Sequence, residues 1–284
     1  MAARALRRRR IDFGVSKPMV SIIGDYISDK IRAEGIYERE YLEFLRDRLF
    51  EPGLCKQQVA VDVGANIGNH SLFLSDIFGR VIAFEPNPLA RSILEINLHL
   101  NGVQNVEVKP VGLSDRVAKV NLVFGFDNLG AATPSSTSEA GVRCTSEVDL
   151  VVGDETIDRS APIGFLKVDI EGSEEAALKG LIRTLRSHQP IVMIEQWGGA
   201  IDARSGTSPS FLFLQGLGYS AWEITSPRAF RGNAGKLTSL LFGRTDFHMS
   251  AVSRLEKRQY LALIFTPPSY TFSEFDETTV GSGG

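Results

Sequence analysis

The chain has 284 residues, 43% of them hydrophobic and 23% charged, which is typical of a globular protein and excludes disordered and fibrous classes. No apolar run approaches the length of a membrane-spanning helix, and two cysteines, Cys55 and Cys144, are too few for a disulfide framework, so we expect a reduced, cytoplasmic chain. The formal net charge is -3, with five arginines and no acid in residues 1–10, and the acidic remainder argues against nucleic-acid binding, which needs a basic face.

The arginine run at residues 7–10 is interpreted as a solvated tail, with an electrostatic contact to anionic lipid or nucleic acid as the alternative. It does not begin a secretory signal, because the next residues include Asp12, Lys17 and Pro18, which interrupt any apolar segment. The first periodic segment is an amphipathic helix over residues 37–50, in which Leu42, Leu45 and Leu49 share one face.

Short buried strands then alternate with helices. Strands are predicted at residues 59–61, 81–84 and 106–111, and helices at 69–78 and 88–101. This alternation indicates βαβ units and therefore a parallel sheet.

The second half of the chain continues with both kinds of element. Strands are predicted at residues 118–124, 148–152, 164–168, 191–194, 220–224 and 260–265, and helices at 173–187, capped by Ser173, and at 211–217. Residues 125–141 and 225–258 show no regular period, and the glycines at 281–284 predict a flexible end. Trp197 and Trp222 are predicted to lie in the core or in a pocket wall.

Acidic residues follow almost every predicted strand. They are Asp62, Glu85, Asp115, Asp169, Glu171 and Glu195. Because open parallel sheets bind ligands at the carboxyl ends of their strands, and because an unpaired carboxylate there is costly to desolvate, these residues predict a binding site.

The first loop, residues 62–68, joins a strand to a helix and reads D-x-G-x-x-x-G. Gly64 permits a tight turn, and the helix that follows Gly68 offers free N–H groups to an anion. Glu85, at the end of the next strand, is placed to accept ribose hydroxyls. An acid before the first glycine suits an ammonium group better than a pyrophosphate, which favours S-adenosylmethionine over a dinucleotide.

Five segments in this order resemble the FkbM family of S-adenosylmethionine-dependent methyltransferases. They are VAVDVGANIGNHSLFLS at 59–75, AFEPNP at 83–88, LSD at 113–115, FLKVDIEGSE at 165–174 and IVMIE at 191–195. The resemblance extends over residues 37–265 and is specific because the segments occur as a set.

The resemblance implies an α/β fold of the Rossmann-like class I methyltransferase type, with a seven-stranded, mostly parallel sheet, helices on both faces and an antiparallel last strand, for which residues 260–265 are the candidate. We divide the chain into a basic tail and helical extension at 1–50, a methyltransferase domain at 51–268 and a flexible tail at 269–284. The cofactor-binding residues that the resemblance implies are Asp62, Gly64, Ala65, Asn66, Gly68, Glu85, Pro86, Ser114, Asp115 and Asp169. The family's wider class often has a glycine at the position of Asn66, whose role stays open.

Methyl transfer to an alcohol also requires a base. The candidates are Asp169, Glu171, Glu195 and His70, with Asp169 preferred because it ends the fourth strand of the sheet. Neighbouring carboxylates raise one another's pKa, which suits a base. The same oxygens are ligands that a divalent cation such as Mg²⁺ prefers, so metal dependence stays open.

The resemblance therefore implies O-methylation of a sugar or natural-product hydroxyl, with a small-molecule or glycan acceptor. Three alternatives remain: N-methylation of another acceptor, cofactor binding without catalysis, and nicotinamide-dependent oxidation, which the first loop disfavours. The [DN]-P-P-[YFW] signature of base-amine methylation is absent after the fourth strand, where Asp169-Ile170-Glu171-Gly172 stands. The acceptor's identity and the oligomeric state are not predicted by the sequence.

Overall fold

The computed structural model describes residues 17–22, 28, 31, 37–125, 143–225 and 247–270, and every structural statement below refers to these residues. The arginine-rich tail at 1–10, the glycines at 281–284 and all but the first residue of the segment 125–141, which we predict to be a loop, lie outside them.

The centre of the fold is a mostly parallel sheet of eight strands. They are β1 (Val59–Val63), β2 (Arg80–Phe84), β3 (Val106–Lys109), β7 (Ile163–Val168), β8 (Ile191–Gln196), β9 (Ser220–Thr225), β10 (His248–Ala251) and β11 (Tyr260–Thr266). Their spatial order is β10-β9-β11-β8-β7-β1-β2-β3. The strands from β3 through β1 to β8 pair in parallel, whereas β11 runs antiparallel to β8 and β9. The predicted antiparallel last strand is confirmed.

The eighth strand is a difference from the seven that we expected. Strand β10 pairs antiparallel with the outer edge of β9, with His248 opposite Thr225. It lies in a stretch of the sequence without a clear period, because a four-residue strand is too short to produce one.

Eight helices among the described residues flank the sheet. They are α1 (Arg39–Leu49), α2 (Pro52–Cys55), α3 (Asn69–Ile77), α4 (Pro88–Leu100), α5 (Gly153–Thr156), α6 (Glu174–Gly180), α7 (Ile182–His188) and α8 (Pro209–Gly216). Alternate residues of β1 explain how both faces are covered: Val59, Val61 and Val63 pack with α6, α7 and α8, whereas Ala60 packs with α1 and α3. Helices therefore lie on both faces, as predicted.

A second, three-stranded sheet follows β3 along the chain. Strand β4 (Gly112–Ser114) pairs in parallel with β6 (Arg143–Val152), which pairs antiparallel with β5 (Ala118–Gly125). Its apolar side chains Leu122, Phe124 and Val148 pack against Ile67 of the first loop and Ile93 of α4. The small sheet thus supports the first loop from outside the main sheet.

The single helix predicted over residues 173–187 is in fact two. Helix α6 ends at Gly180, where a Cβ atom would approach the carbonyl oxygen of Ser114 to 2.1 Å, and α7 begins after Leu181. Ser173 occupies the N-cap position of α6 but makes no capping hydrogen bond; the backbone N–H of Gly172 instead donates to the side chain of Glu174. The close passage of the chain past Ser114 is a tertiary constraint, which helical periodicity does not reveal.

The segments that precede β1 pack on the outside of α3, α4 and the sheet. Helix α1 buries Leu42, Leu45 and Leu49 against the sheet, which confirms its predicted apolar face. The segment before α1 is bound to α4. The buried side-chain amide of Asn97, in α4, exchanges two hydrogen bonds with the backbone of Val20 and donates another to the carbonyl of Ile67. These bonds connect the N-terminal segment to the first loop. None of the helices described here is long and apolar enough to span a membrane.

Candidate active site

The first loop makes a tight passage between β1 and α3. Gly64 has φ 79°, and a Cβ atom there would lie 1.9 Å from the carbonyl oxygen of Asp169, so only glycine fits. The N–H groups of Gly64 and Ala65 both donate to the carbonyl of Phe84, at 3.0 and 3.1 Å. Gly68, with φ 93°, begins α3 against Leu94 and leaves no space for a side chain. The loop is therefore fixed by hydrogen bonds to the end of β2 and by close packing against Asp169, which follows β7, and Leu94 of α4.

Asn66 also has a left-handed backbone conformation, with φ 48°. Asparagine tolerates this conformation better than most side chains, which explains why a glycine is not required here. The N–H of Asn66 donates to Oε2 of Glu85 at 2.7 Å, whereas its own side-chain oxygen, Oδ1, is buried without a hydrogen-bond partner. Asn66 thus connects the first loop to the end of β2.

Glu85 lies at the carboxyl end of β2, beside the first loop. Oε2 accepts from Asn66 and Oε1 accepts from the N–H of Asn87 at 2.8 Å, so the plane of the carboxylate is fixed while each oxygen keeps a second lone pair. Burial raises the pKa of Glu85 to about 7, although the two N–H donors oppose the shift. Pro86 and Asn87 continue the chain into α4, which the Asn87 side chain caps by accepting from Leu89 at 3.0 Å.

Asp62 is completely buried at the end of β1. Its Oδ2 accepts from the hydroxyl of Ser71 at 2.6 Å, and its Oδ1 lies 3.3 Å from Nζ of Lys167 without hydrogen-bond geometry. The side chain therefore orients the first loop and the start of α3 from within the protein.

Asp169 and Glu195 end the neighbouring strands β7 and β8. Val168 is paired with Ile194, so the next residue of each strand emerges beside the other, and the two carboxyl groups are hydrogen-bonded. Oδ2 of Asp169 lies 3.2 Å from Nζ of Lys167, and Oε1 of Glu195 accepts from Nε2 of Gln259 at 2.6 Å. The predicted convergence of these two acids is therefore present.

His70 lies in the first turn of α3, with its Nε2 buried and without a hydrogen-bond partner. That atom is 3.5 Å from Oε2 of Glu38, the residue that precedes α1. Glu38 has φ 58°, and its neighbour Tyr37 exchanges two backbone hydrogen bonds with the side chain of Asn69. The N-terminal segment thus brings a carboxylate to the predicted site.

The remaining predicted residues lie further from this cluster. Glu171 is exposed, with φ 44°; partial desolvation and the charges of Asp169 and Glu174 raise its pKa, and solvent moderates the shift. Ser114 is buried at the end of β4, and its hydroxyl faces Asp115 at 3.4 Å. Asp115 is partly exposed and lies 3.6 Å from Arg116. Both residues lie at the carboxyl end of β4 in the small sheet.

The fit to a polar cofactor rests on atoms that lack hydrogen-bond partners within the protein. Three buried side-chain atoms in the described part of the chain form no hydrogen bond: Oδ1 of Asp62, which has the ion-pair contact with Lys167, Oδ1 of Asn66, and Nε2 of His70, which lies 3.5 Å from Oε2 of Glu38. All three belong to the first loop or to the first turn of α3. Because buried polar groups are nearly always hydrogen-bonded, these atoms and the free lone pairs of Glu85 match a ligand that carries ammonium and hydroxyl donors. The residues present therefore fit S-adenosylmethionine.

A metal centre finds less support in the geometry. The described residues contain no group of three or more His, Cys, Asp and Glu side chains arranged to hold a metal ion. The cation beside Asp169 is instead the ammonium group of Lys167.

Sequence reasoning missed Lys167, Glu38 and Asn69. Lys167 carried a usable signal, because a lysine between Leu166 and Val168 in a buried strand requires a charged partner nearby. Glu38 and Asn69 carried none, since their contacts join segments that are about 30 residues apart in the sequence.

The parallel strands with an antiparallel β11, the glycine loop after β1 and the acid after β2 together define a Rossmann-like class I methyltransferase domain. The methyltransferase FkbM domain model matches residues 62–220, which is more than half of the chain. The chain therefore belongs to the FkbM methyltransferase family.

Two curated proteins are similar over this region. Methyltransferase sdnD from Sordaria araneosa is 31% identical over 169 residues, which cover 58% of this chain and 60% of that protein. Methyltransferase 1 from Beauveria bassiana is 27% identical over 144 residues, covering 43% of this chain and 57% of that protein. The match thus spans about three fifths of each relative's length.

Among solved structures, methyltransferase FkbM from Methylobacillus flagellatus is 20% identical and superposes with a TM-score of 0.43, covering 93% of this chain and 60% of that one.

Proposed function

We propose that this protein binds S-adenosylmethionine with its first loop and Glu85 and O-methylates a hydroxyl of a sugar or natural-product scaffold. The observation that carries the proposal is the carboxylate of Glu85, fixed by the N–H of Asn66 beside the first loop, together with three buried atoms of Asp62, Asn66 and His70 that form no hydrogen bond. S-adenosylmethionine supplies, when bound, a methyl group that its sulfonium sulfur has already activated.

The chain's own residues have three tasks in this proposal. Glu85 accepts the ribose hydroxyls on its free lone pairs, and Ser114 and Asp115 lie toward the adenine. The first loop and α3 orient the amino-acid end. Asp169, at the end of β7, takes the proton from the acceptor hydroxyl, a step that contributes about 10²–10⁴-fold to the rate in comparable enzymes.

The surroundings of Asp169 favour a neutral acceptor over an amine. Glu171 follows β7 and Glu38 faces His70, and these carboxylates would stabilise an ammonium in its protonated, non-nucleophilic form. A hydroxyl has no such charged form at neutral pH.

Trp197 supports a ring-shaped acceptor. It directly follows β8, two residues after Glu195, and it is 63% exposed. A Cβ atom on Gly199 would lie 2.8 Å from the indole, so the glycine makes room for the ring. An exposed indole beside carboxylates offers a stacking face and hydrogen-bond acceptors, which is the combination that a sugar ring requires.

Two measurements test the proposal in sequence. Calorimetric titration of the full chain with S-adenosylmethionine and with NAD should show binding of the first only; binding of NAD alone would contradict the cofactor assignment. Incorporation of labelled methyl groups into a panel of glycans, polyol natural products and amines should then be confined to hydroxyl acceptors.

Methylation confined to amines would instead support the N-methyltransferase alternative. Tight cofactor binding without turnover on any member of the panel would support a binding protein without catalysis.

A further inference from the structure

Lys167 is a buried cation in the middle of the sheet. It lies in β7, paired with Asp62 of β1 on one side and with Met193 of β8 on the other, and its side chain is 3% exposed. A buried ammonium group is strongly unfavourable unless it is both paired and hydrogen-bonded. The groups that surround the ammonium of Lys167 therefore indicate its role in the protein.

The ammonium group of Lys167 has three acceptors around it. Nζ donates to the carbonyl oxygen of Gly64 at 3.1 Å and lies 3.2 Å from Oδ2 of Asp169 and 3.3 Å from Oδ1 of Asp62. The ammonium group is therefore held by one hydrogen bond and two ion pairs. Because Gly64 and Asp62 belong to the first loop and Asp169 follows β7, Lys167 holds the cofactor loop and the candidate base together.

The two acids at the ends of β7 and β8 have different neighbours. Asp169 faces the positive charge of Lys167, whereas the other partner of Glu195 is the neutral side-chain amide of Gln259. When two carboxyl groups share a hydrogen bond, they hold one proton between them. Since the nearby cation stabilises the ionised form of Asp169, the proton belongs on Glu195.

The other charged groups around Asp169 come from several elements. They are Asp62 at the end of β1, His70 on α3, and Glu171 and Glu174 after β7. Burial opposes ionisation of Asp169 and is the largest single influence, but Lys167 together with the smaller contributions of Glu195 and His70 holds the pKa below its usual range. Burial and then the neighbouring Asp169 raise the pKa of Glu195. For Lys167, burial would lower the pKa, but the charges of Asp169 and Asp62 outweigh burial and raise it.

We propose that Lys167 is a positioning residue of the transfer site, which keeps Asp169 ionised and leaves the shared proton on Glu195, so that Asp169 is the base of the pair. The inference rests on the proposed function for its catalytic meaning, whereas the proton's location can be measured without any ligand. Glu195 would remain a neutral hydrogen-bond donor beside the base, and Lys167 itself would not exchange protons with the acceptor.

The test is a pH titration of the full chain by carboxyl-carbon NMR after ¹³C labelling of aspartate and glutamate. Signals are assigned by their absence in Asp169→Asn and Glu195→Gln. We expect Asp169 to titrate below Glu195 in the wild type. In Lys167→Met, the Asp169 titration should move up by about one to three pH units, whereas Lys167→Arg should restore most of the shift.

Lys179→Met is the matched control, because Lys179 is an exposed lysine paired with Glu175 on α6. It should leave both titrations unchanged. Once an acceptor that the enzyme methylates is known, kcat can be measured against pH. The apparent pKa on the acid side of that profile should rise in Lys167→Met by the same amount as the Asp169 titration observed by NMR, which a merely structural role would not produce.

An Asp169 that titrates above Glu195 in the wild type would overturn the inference, whatever the stability of Lys167→Met. An unchanged Asp169 titration in folded Lys167→Met would overturn it as well. Neither result bears on cofactor binding, which the calorimetric titration tests separately, so the failure of this inference and the failure of the proposed function are distinguishable.

Discussion

At the scale of the single residue, Glu85 carries the cofactor side of the proposed site. Its two oxygens already accept from the N–H groups of Asn66 and Asn87, so the side chain has little freedom to move. A carboxylate held in this way is preorganised for ligand hydroxyls, because the loss of rotamer freedom has occurred on folding rather than on binding.

We predict that Glu85→Ala weakens S-adenosylmethionine binding by roughly 10- to 150-fold, the equivalent of about 1.5–3 kcal/mol for hydrogen bonds to a charged group. Glu85→Gln should have a smaller effect, since the amide keeps one acceptor. Calorimetry measures both, with Glu175→Ala on the exposed face of α6 as the control. Equal affinities for Glu85→Ala and the wild type would remove Glu85 from the site.

We predict that Asp169→Asn lowers turnover by about 10²–10⁴-fold while cofactor affinity changes little, because the amide keeps the shape of the side chain but accepts no proton. Lys167 retains Asp62 and the carbonyl of Gly64, so the fold should survive. EDTA should leave wild-type turnover unchanged. Loss of turnover on chelation, with recovery on adding Mg²⁺, would instead assign the carboxylates to a metal, and full activity of Asp169→Asn would transfer the base to Glu195 or His70.

At the scale of the element, one buried acid explains the break between α6 and α7. Asp154, in α5, accepts from the N–H groups of Arg183 and Thr184 at 2.7 and 2.9 Å and from the Thr184 hydroxyl at 2.7 Å. It therefore caps the first turn of α7 from a different helix and starts that helix afresh after Leu181.

We predict that Asp154→Ala lowers the free energy of unfolding by roughly 2–4 kcal/mol, because it removes a helix cap and leaves buried donors without a partner. Urea denaturation monitored by circular dichroism measures the change. Asp202→Ala is the matched control: Asp202 accepts from the N–H groups of Arg204 and Ser205, but it is exposed, so water replaces it at a smaller loss. Similar losses for the two variants would argue against the capping role.

At the scale of the whole molecule, acids with raised pKa values are concentrated at one edge of the sheet. Burial raises the pKa of Glu85 to about 7 and also raises that of Glu195. Between an acid's unfolded pKa and a higher folded pKa, the folded state holds more protons than the unfolded state, so stability falls as the pH rises. The site therefore lowers the stability of the ligand-free protein at neutral pH.

The pKa of Glu85 is 4.5 in the unfolded chain and about 7 in the folded protein. We therefore predict that the wild type loses roughly 3 kcal/mol of unfolding free energy through Glu85 as the pH rises between these two values. Glu85→Gln cannot titrate and should lack this component, while Glu195 contributes equally to both proteins. Urea unfolding of both proteins at pH 5 and at pH 8 gives the change in unfolding free energy with pH for each, and the difference between these changes is the contribution of Glu85. Identical pH dependence in the variant would contradict the burial of an ionisable Glu85.

The amino-acid pattern predicts the parallel sheet, the amphipathic α1 and the positions of the acids at the strand ends, whereas the antiparallel last strand was implied by the resemblance to the FkbM family. The features that the pattern predicts follow from local rules: the period of the apolar residues, the glycines of a tight turn, and the fact that the carboxyl ends of parallel strands meet at one edge. The convergence of Asp169 and Glu195 could therefore be predicted without coordinates.

The tertiary contacts place a cation, Lys167, beside Asp169 and an amide, that of Gln259, beside Glu195. Lys167 contacts Asp62 on the neighbouring strand, and Glu38, which precedes α1, contacts His70. Asp154 caps a helix that lies about 30 residues further along the chain. Such contacts depend on register and on the packing of distant segments, which no local pattern encodes. For the same reason the short β10 and the break at Leu181 escaped prediction: both are fixed by neighbours in space rather than by neighbours in sequence.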